Sequence, residues 1–359
     1  MTNQPTAQTP AAAGFTMPAE WETHEATWLA WPHHPTDWPG KLDTIRWVYG
    51  EIVRKLAPGE LVRLLVRDRA EKEQARRYLT RAGADVGRVH FVVHPTNRGW
   101  TRDSGPLFVR RRAGRKSATA IVHFHFNAWA KYDDWQLDRK VPETAARLLH
   151  QPLFHAEHGG RAFVLEGGGI DVNGRGTLLT TEECYLDPMV QVRNPGLGRT
   201  EIEETLKDYL GVSQVFWLAA GPAGDDTHGH IDDICRFVNP RTVVLVSESN
   251  RRDLNYRPLA ENWERVRDLR LEDGTRPEVI PLPMPAPLHF EGTRLPASYA
   301  NFYMGNAAVL VPTFNDPHDR VALGILADLF PDRAVVGIHA VDLVLGFGTL
   351  HCLTQQQPA

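Results

Sequence analysis

Residues 345–359 read LGFGTLHCLTQQQPA and place Cys352 only a few residues before the end of the chain. Chain termini are usually loose unless they are packed against the rest of the domain. The preceding segment, Val341 to Leu345, is largely apolar, and Gly346 and Gly348 allow the backbone to turn sharply. The pattern predicts a buried strand that carries Cys352 to an interior position. Because a lone buried cysteine is usually an inert small apolar residue, a chemical role requires partners elsewhere in the chain.

Composition limits the classes of protein that this chain can represent. Its 359 residues are 42% hydrophobic and 23% charged, which is typical of a globular protein. The net charge of −4 and the lack of a basic stripe argue against a nucleic-acid partner. No apolar stretch approaches the length needed to span a bilayer, so we expect no membrane association. The three cysteines are too few and odd in number for a disulfide framework, which favours a reducing, cytoplasmic compartment.

The first 13 residues, MTNQPTAQTPAAA, differ in composition from the rest of the chain. They show no hydrophobic periodicity and lack the basic and apolar regions of a secretory signal. The sequence therefore predicts a disordered tail over residues 1–13 and a single domain over residues 14–359.

Helical and strand patterns alternate along the chain. Apolar spacing predicts strands at Ala26–Trp31, Leu61–Val66 and Val89–Val93, and helices at Lys41–Leu56, Ala70–Ala82, Glu143–Leu149, Thr200–Leu210, Leu259–Leu271 and Arg320–Leu329.

A recurring layout lies between these helices: a polar motif with glycine, a short apolar run, a turn and a second apolar run. It occurs in WTRDSGPLFVRR…SATAIVHFHF, EGGGIDVNGRGTLLTT, HGHIDDICRFVNPRTVVLV and SYANFYMGNAAVLVP, with FGTLHC as a truncated fifth copy. The spacing indicates a repeated mixed α/β unit. Five units around one axis would direct Asp103, Glu166, His230, Asn301 and Cys352 to a shared centre. The alternative is a two-domain α/β protein with hairpins.

These polar residues suggest a specific chemistry. A pocket rich in carboxylates suits a cation, and a planar guanidinium binds carboxylates with two parallel hydrogen bonds. Its carbon is electrophilic, so the Cys352 thiolate can attack it. A histidine such as His230 can protonate the departing nitrogen and then activate water.

A zinc site is the competing interpretation. The run His228-Gly229-His230-Ile231-Asp232-Asp233 is similar to the H-x-H-x-D-H motif of metallo-β-lactamase-like hydrolases. Asp233 stands where that family has histidine, which removes a nitrogen ligand. His123 and His125 could complete another cluster, but alternate histidines also suit one face of a strand. The zinc hypothesis leaves WTRDSGP, LEGGG and the cysteine tail unexplained.

The motifs WTRDSGP, FNAW, DDW, LEGGGIDVNGRGTLLTTEEC, RNP, GHID, SYANFY and HCLTQQQP together resemble the agmatine deiminase and bacterial peptidylarginine deiminase family of the guanidine-modifying superfamily. The resemblance runs from about Met17 to the end of the chain. It implies an α/β fold of five ββαβ modules arranged as a pseudo-symmetric, pentein-type propeller around a central site. It also implies cysteine-dependent hydrolysis of a guanidino group to a ureido group and ammonia, with no metal and no organic cofactor.

The same resemblance implies roles for individual residues. Cys352 would be the nucleophile and His230 the general acid and base, while Asp103 and Asp232 would clamp the guanidinium. The substrate pocket would be lined by Glu166 and Trp100, together with Asp226 and Asn301, and His351 would be structural.

Two departures from the family pattern concern the substrate. The chain has DDTHGHIDD where many agmatine deiminases have DETNGHVDN, and GFGTLHC where they have GGGNIHC, which places His228 and Phe347 near the site. No arginine lies between Arg115 and Arg139, the region in which peptide-specific members resemble one another by using arginines. We therefore expect agmatine as the small cationic substrate, with Asp133, Asp134 or Glu166 at its distal amine.

The sequence also allows a different substrate or a protein that binds guanidinium without turnover. Another guanidino compound or peptidyl-arginine is the alternative substrate, and a catalytically inactive guanidinium-binding module is disfavoured because Cys352 and His230 are both present. We expect the assembly to be a homodimer.

Overall fold

The structure is a computed structural model that describes residues 9–113 and 116–359. Residues 1–8 of the predicted disordered tail lie outside this range. Residues 9–13 of that tail do not fit the prediction, because they form a turn. The Ala11 amide donates to the Asp208 carbonyl over 3.0 Å, and Arg111 Nη1 donates to the Ala13 carbonyl over 2.9 Å.

The first sheet joins the two ends of the chain. It has the order β20-β1-β2-β3, and β1 pairs parallel with β2 and antiparallel with β20. Its strands are β1 (His24–Ala30), β2 (Leu61–Val66), β3 (Val89–Val93) and β20 (Gln355–Pro358), and its helices are α1 (Leu42–Leu56) and α2 (Arg69–Arg81).

Four three-stranded sheets follow along the chain. The first has α3 (Thr101–Ser104) before β4 (Leu107–Ala113), β5 (Lys116–His123), α4 (Val141–Leu149) and β6 (Leu153–His155). The second has β9 (Asp171–Val172), β10 (Thr177–Thr181), α5 (Glu182–Leu186), α6 (Arg199–Leu210) and β11 (Gln214–Leu218). The third has β12 (Cys235–Asn239), β13 (Thr242–Ser247), α7 (Tyr256–Val266) and β14 (Glu278–Pro283). The fourth has β17 (Tyr303–Met304), β18 (Ala308–Thr313), α8 (His318–Leu329) and β19 (Ala334–His339), followed by α9 (Leu350–Leu353). Two short hairpins complete the set: β7 (Glu157–His158) with β8 (Arg161–Ala162), and β15 (His289–Phe290) with β16 (Thr293–Arg294).

All five of these larger sheets share one strand pattern. A central strand pairs antiparallel with one neighbour and, across a helix, parallel with the other. The central strands are β1, β5, β10, β13 and β18. The mixed α/β fold predicted from the sequence is therefore confirmed. The four complete copies of the repeated layout are the antiparallel hairpins of the four three-stranded sheets.

The predicted helices and strands are confirmed with small shifts at their ends. One helix was predicted too long: α7 ends at Val266, whereas the sequence pattern continued to Leu271. Leu269 and Leu271 are buried, so they extend the apolar pattern, but their backbone has already left the helix.

The predicted strand leading to Cys352 is wrong. Leu343–Gly346 is a 3-10 helix, and Cys352 lies in the short helix α9. The strand comes afterwards, at β20, where three buried glutamines pair with β1. The truncated fifth repeat is thus completed by the N-terminal strand, because Trp28 pairs with Gln355 across the two ends of the chain.

Polar residues of the repeats lie at short helical turns that precede the hairpins. Asp103 lies in α3, Glu166 precedes the 3-10 turn Gly167–Gly169, and His230 precedes Ile231–Asp233. A large apolar cluster includes Trp100, Ile231 and Cys352, whereas Leu165 and Ile170 beside the Gly167–Gly169 turn belong to a second cluster. Across the described ranges, no helix is long and apolar enough to cross a membrane.

Candidate active site

Cys352 is buried in α9, and its thiol faces polar groups from two other parts of the chain. Asn301 Nδ2 lies 3.0 Å from Cys352 Sγ, and Asp232 Oδ2 lies 3.6 Å from it. Burial raises the pKa of the Cys352 thiol well above its usual range, and the negative charges of Asp232, Asp233 and Asp103 raise it further. A thiolate at this position therefore requires a neighbouring positive charge.

Asp232 is held by the residue that precedes the cysteine. His351 Nδ1 lies 2.7 Å from Asp232 Oδ2, and His351 Nε2 lies 2.7 Å from Glu20 Oε2. Burial alone would raise the pKa of Asp232, but the hydrogen bond and charge of His351 lower it below the ordinary range. Asp232 is thus an oriented carboxylate beside the thiol.

His230 lies between two carboxylates. Its Nδ1 is 3.8 Å from Asp103 Oδ1, and its Nε2 is 3.6 Å from Glu166 Oε2. Burial opposes a charge on the imidazole, but Asp103, Cys184 and Glu166 outweigh burial and raise the pKa of His230 well above its usual value. The imidazole is therefore suited to carry a proton inside the site.

Asp103 is oriented by two donors. The Gly168 amide donates to Oδ1 over 3.0 Å, and Trp129 Nε1 donates to Oδ2 over 2.9 Å. Burial raises the pKa of Asp103 to about 6, although His230 opposes this rise. Glycine is required at position 168, since a Cβ there would come within 2.5 Å of His230 Nδ1 and 2.9 Å of Asp103 Oδ1.

A cavity of about 230 Å³ leads to the thiol. Cys352 and Asp103 line it, together with Trp100 and Trp129. Further lining residues are Asp37, Arg98, Tyr132, Asp226 and Phe347. The cavity thus joins the Cys352 thiol to aromatic walls and to several carboxylates.

The lining carboxylates differ in their partners. Asp226 accepts from Lys131 Nζ over 2.5 Å and from Tyr132 over 2.8 Å. Asp37 is ion-paired with Arg98 through Oδ1, while its buried Oδ2 has no hydrogen-bond partner among the described residues. Arg98 also lies 3.3 Å from Asp134.

The structure brings the eight predicted site residues to one region. Cys352, Asp103, Trp100 and Asp226 line the cavity, whereas four others lie behind these residues and contact one another or the thiol: Glu166, His230, Asp232 and Asn301. Of the residues expected near a distal amine, Asp133 is exposed and Asp134 pairs with Arg98.

Several residues at the site were not assigned a role from the sequence. Arg193 Nε donates to Glu166 Oε1 over 3.2 Å, and the thiol of Cys184 lies within 4.8 Å of the facing atoms of Glu166 and His230. Arg193 belongs to the RNP motif and Cys184 to the TTEEC motif, and these motifs carry the resemblance to the family without indicating a role for either residue. For Asp37 and Arg98, the sequence pattern indicates no role at the site, and only nearby tryptophans distinguish these two residues.

The zinc motif suggested by HGHIDD does not form one cluster. His228 Nε2 is 2.9 Å from Asp187, and its Nδ1 is 3.7 Å from Glu183, whereas His230 faces Asp103 and Glu166. Among residues 9–113 and 116–359, the side chains that lie close enough together to bind one metal ion are those of Glu166, Cys184 and His230.

The fold and the site define a mixed α/β protein whose buried centre combines a cysteine, a histidine and several carboxylates. The model of the family described as Porphyromonas-type peptidyl-arginine deiminase matches residues 16–358, and the chain belongs to this family.

Known relatives agree with this assignment. The agmatine deiminase of Pseudomonas aeruginosa strain LESB58 is 35% identical over 374 residues, covering 98% of this chain and 97% of that protein. The agmatine deiminase structure from Enterococcus faecalis has a TM-score of 0.88 and 30% identity, and 99% of each chain is covered. A cysteine-to-serine variant of agmatine deiminase from C. jejuni with substrate bound has a TM-score of 0.84 and 30% identity, and 96% of each chain is covered.

Proposed function

We propose that this protein hydrolyses agmatine to N-carbamoylputrescine and ammonia through a covalent bond to Cys352. The observation that carries this proposal is the position of Cys352 Sγ, 3.6 Å from Asp232 and next to a cavity that Asp103 also lines. Two carboxylates beside a thiol suit a guanidinium, because each can accept hydrogen bonds from its planar N–H groups.

The first half of the reaction forms a carbon–sulfur bond. The Cys352 thiol releases its proton to solvent, and the thiolate attacks the guanidinium carbon to give a tetrahedral adduct. His230 donates a proton to the departing nitrogen, ammonia leaves, and an S-alkylthiouronium intermediate remains on Cys352. In the second half His230 removes a proton from water, the hydroxide attacks the same carbon, and the carbon–sulfur bond breaks. The hydroxyl proton of the collapsing adduct passes to the sulfur, so the products are the ureido compound and the free thiol.

The substrate supplies the charge that the site needs. Nearby carboxylates raise the pKa of the Cys352 thiol. A bound guanidinium neutralises these carboxylates and places positive charge beside the sulfur, which lowers the pKa of the thiol. The thiolate therefore forms when substrate is present.

The lining of the cavity supports an amine at the distal end of the substrate. Asp37 Oδ2 is buried without a partner among the described residues and can accept a hydrogen bond from an ammonium group. Trp100 and Trp129 can contact the methylene chain between the two charged ends. Asp226 adds a second carboxylate to the same lining.

Arginine is the second candidate substrate, and Arg98 is the observation that favours it. The region from Arg115 to Arg139 provides no arginine for an α-carboxylate, but Arg98, which precedes it in sequence, does line the cavity. Arg98 is already paired with Asp37 and Asp134. Binding a carboxylate there would break these pairs, so agmatine is favoured.

We further infer that the five sheets form a pentein-type propeller around this site. The shared strand pattern and the turns before the hairpins support this arrangement. A homodimer and a cytoplasmic location are part of the same proposal, and size-exclusion chromatography with light scattering tests the former.

A competition assay tests the substrate. Equal concentrations of agmatine, arginine and a peptide with a C-terminal arginine are incubated with the protein, and each ureido product is quantified. The proposal requires the highest kcat/KM for agmatine. A higher kcat/KM for arginine or the peptide would overturn the choice of substrate and leave the cysteine chemistry standing.

A further inference from the structure

Three potential metal ligands converge behind the catalytic histidine. One ligand atom from each of Glu166, Cys184 and His230 lies within 4.8 Å of the other two, and all three residues are buried. Their elements are separate in sequence: Glu166 precedes a 3-10 turn, Cys184 lies in α5, and His230 precedes another 3-10 turn. The cluster is therefore a product of the tertiary fold.

Two of these side chains have buried polar atoms that form no hydrogen bond with the described residues, although they face each other as an ion pair. Glu166 Oε2 and His230 Nε2 are buried and have no hydrogen-bond partner among the described residues. They lie 3.6 Å apart. Arg193 occupies the other carboxylate oxygen of Glu166, which leaves Oε2 directed toward the imidazole. Buried polar atoms without partners are rare and indicate a bound group or water.

The donor set matches a borderline soft metal. Zinc binds thiolate, imidazole and carboxylate at about 2.0–2.3 Å, usually in a tetrahedral arrangement. At those bond lengths two ligand atoms are about 3.3–3.8 Å apart. The oxygen–nitrogen separation of 3.6 Å falls within this range. Magnesium and calcium prefer sets of oxygen ligands, so they fit this cluster poorly.

We propose that Glu166, Cys184 and His230 form a zinc-binding site that inhibits the enzyme. The Cys184 thiol releases its proton to solvent when the sulfur–zinc bond forms, and three protein ligands leave a fourth position for water. A zinc ion on Nε2 prevents His230 from becoming imidazolium, so the histidine cannot donate a proton to the departing nitrogen. This inference goes beyond the proposed reaction, for which no metal is expected.

The location of the site predicts a specific type of inhibition. Nδ1 of His230 faces Asp103, which lines the substrate cavity, whereas Nε2 faces Glu166, which does not. Zinc on Nε2 therefore leaves the cavity free. We expect kcat for agmatine to fall while KM changes less than about twofold. Zinc bound to Cys352 would instead compete with substrate.

The test measures metal binding directly. The full chain is stripped with a chelator, dialysed against Zn²⁺ alone, and analysed for bound zinc. Wild type and Cys352→Ser should each bind one equivalent. Cys184→Ser should bind at least about 100-fold more weakly, because loss of an outer partner alone costs roughly 10- to 100-fold. Cys235→Ser is the matched control, since Cys235 is a buried free cysteine outside the cluster, and it should bind as wild type does.

Cobalt(II) provides a second readout that does not depend on turnover. A thiolate-to-cobalt absorption band should appear in wild type and Cys352→Ser and be absent in Cys184→Ser. If Cys184→Ser does not fold, as judged by circular dichroism, Cys184→Ala replaces it.

Three results would each overturn the proposal: no zinc bound by wild type, unchanged affinity in Cys184→Ser, or loss of binding in Cys352→Ser. Because binding is measured without substrate, failure of the zinc site leaves the deiminase proposal intact. Failure to hydrolyse agmatine likewise leaves the zinc site intact.

Discussion

His351 Nδ1 lies 2.7 Å from Asp232 Oδ2, and the same carboxylate oxygen lies 3.6 Å from Cys352 Sγ. The residue that immediately precedes Cys352 in sequence therefore orients the carboxylate beside the thiol. Since His351 also contacts Glu20, it connects the site to a buried ion-pair network with Arg102 and Arg236.

His351→Gln should lower both activity and stability. The change removes the hydrogen-bonded partner of Asp232, whereas Glu20 keeps Arg102 and Arg236. Breaking a buried pair of this kind costs about 3–5 kcal/mol. We expect kcat to fall by at least tenfold because Asp232 loses its orientation, with a lower Tm by calorimetry. His318→Gln, on an exposed residue, is the control. Wild-type kcat in His351→Gln would show that Asp232 does not depend on His351.

Cys352→Ser should bind agmatine and fail to turn it over. A serine hydroxyl is a far weaker nucleophile near neutral pH, so we expect kcat to drop by roughly 10³-fold or more. Calorimetric titration measures binding, and ammonia release measures turnover. The control is Cys235→Ser, which keeps Cys352. Activity near that of wild type in Cys352→Ser would end the covalent mechanism.

Treatment with a chelator should not reduce activity. The carboxylates of the cavity hold a cation that the substrate supplies, so hydrolysis requires no metal. Activity is compared before and after dialysis against EDTA, and residual metal is quantified. Stoichiometric zinc whose removal abolishes hydrolysis would instead favour a metal-dependent reaction.

Asp37→Asn should weaken agmatine binding selectively. A hydrogen bond to a charged group contributes about 1.5–3 kcal/mol, which corresponds to a rise in KM of roughly 10- to 100-fold. Arginine, whose distal end carries a carboxylate as well as an amine, should be affected less. The matched control is Asp133→Asn, which removes the charge of an exposed carboxylate. Equal effects of Asp37→Asn on both substrates would exclude Asp37 as the amine ligand.

Glu20 should contribute to stability above acidic pH. Burial raises its pKa, but Arg236, His351 and Arg102 lower it well below the ordinary value. At pH values between the folded pKa of Glu20 and the unfolded pKa of about 4.3, the unfolded chain therefore binds more protons than the folded chain. The stabilisation by Glu20 is fully present at pH values above the unfolded pKa. It is lost as the pH falls through the folded pKa.

Glu20→Gln should remove this contribution. We expect a loss of about 3–5 kcal/mol at pH 7, because two buried arginines lose a carboxylate partner. The loss should become smaller as the pH falls below about 4. Urea unfolding at several pH values measures both effects, with exposed Glu157→Gln as the control. A loss that is independent of pH would show that the charge of Glu20 is not responsible.

Local sequence signals are enough to predict the helices, the strands and the polar residues of the repeat. Strands at Leu61–Val66 and Val89–Val93 were predicted with the observed bounds, because apolar periodicity and turn residues are local signals. The recurrence of a polar motif before each hairpin also indicated that Asp103, Glu166 and Cys352 belong to one site. No tertiary information was needed for these conclusions.

The pairings between distant segments depend on how the whole chain packs. Gln355–Pro358 is polar and has no strand signature, yet it pairs with His24–Ala30 because its backbone groups must be satisfied once it is buried. Likewise, Cys184 meets His230, and Asp37 and Arg98 reach the cavity, through contacts between separate repeats. Side-chain periodicity reports the neighbours of a residue along one helix or strand. It contains no information about which other element packs against them, and this packing forms the site.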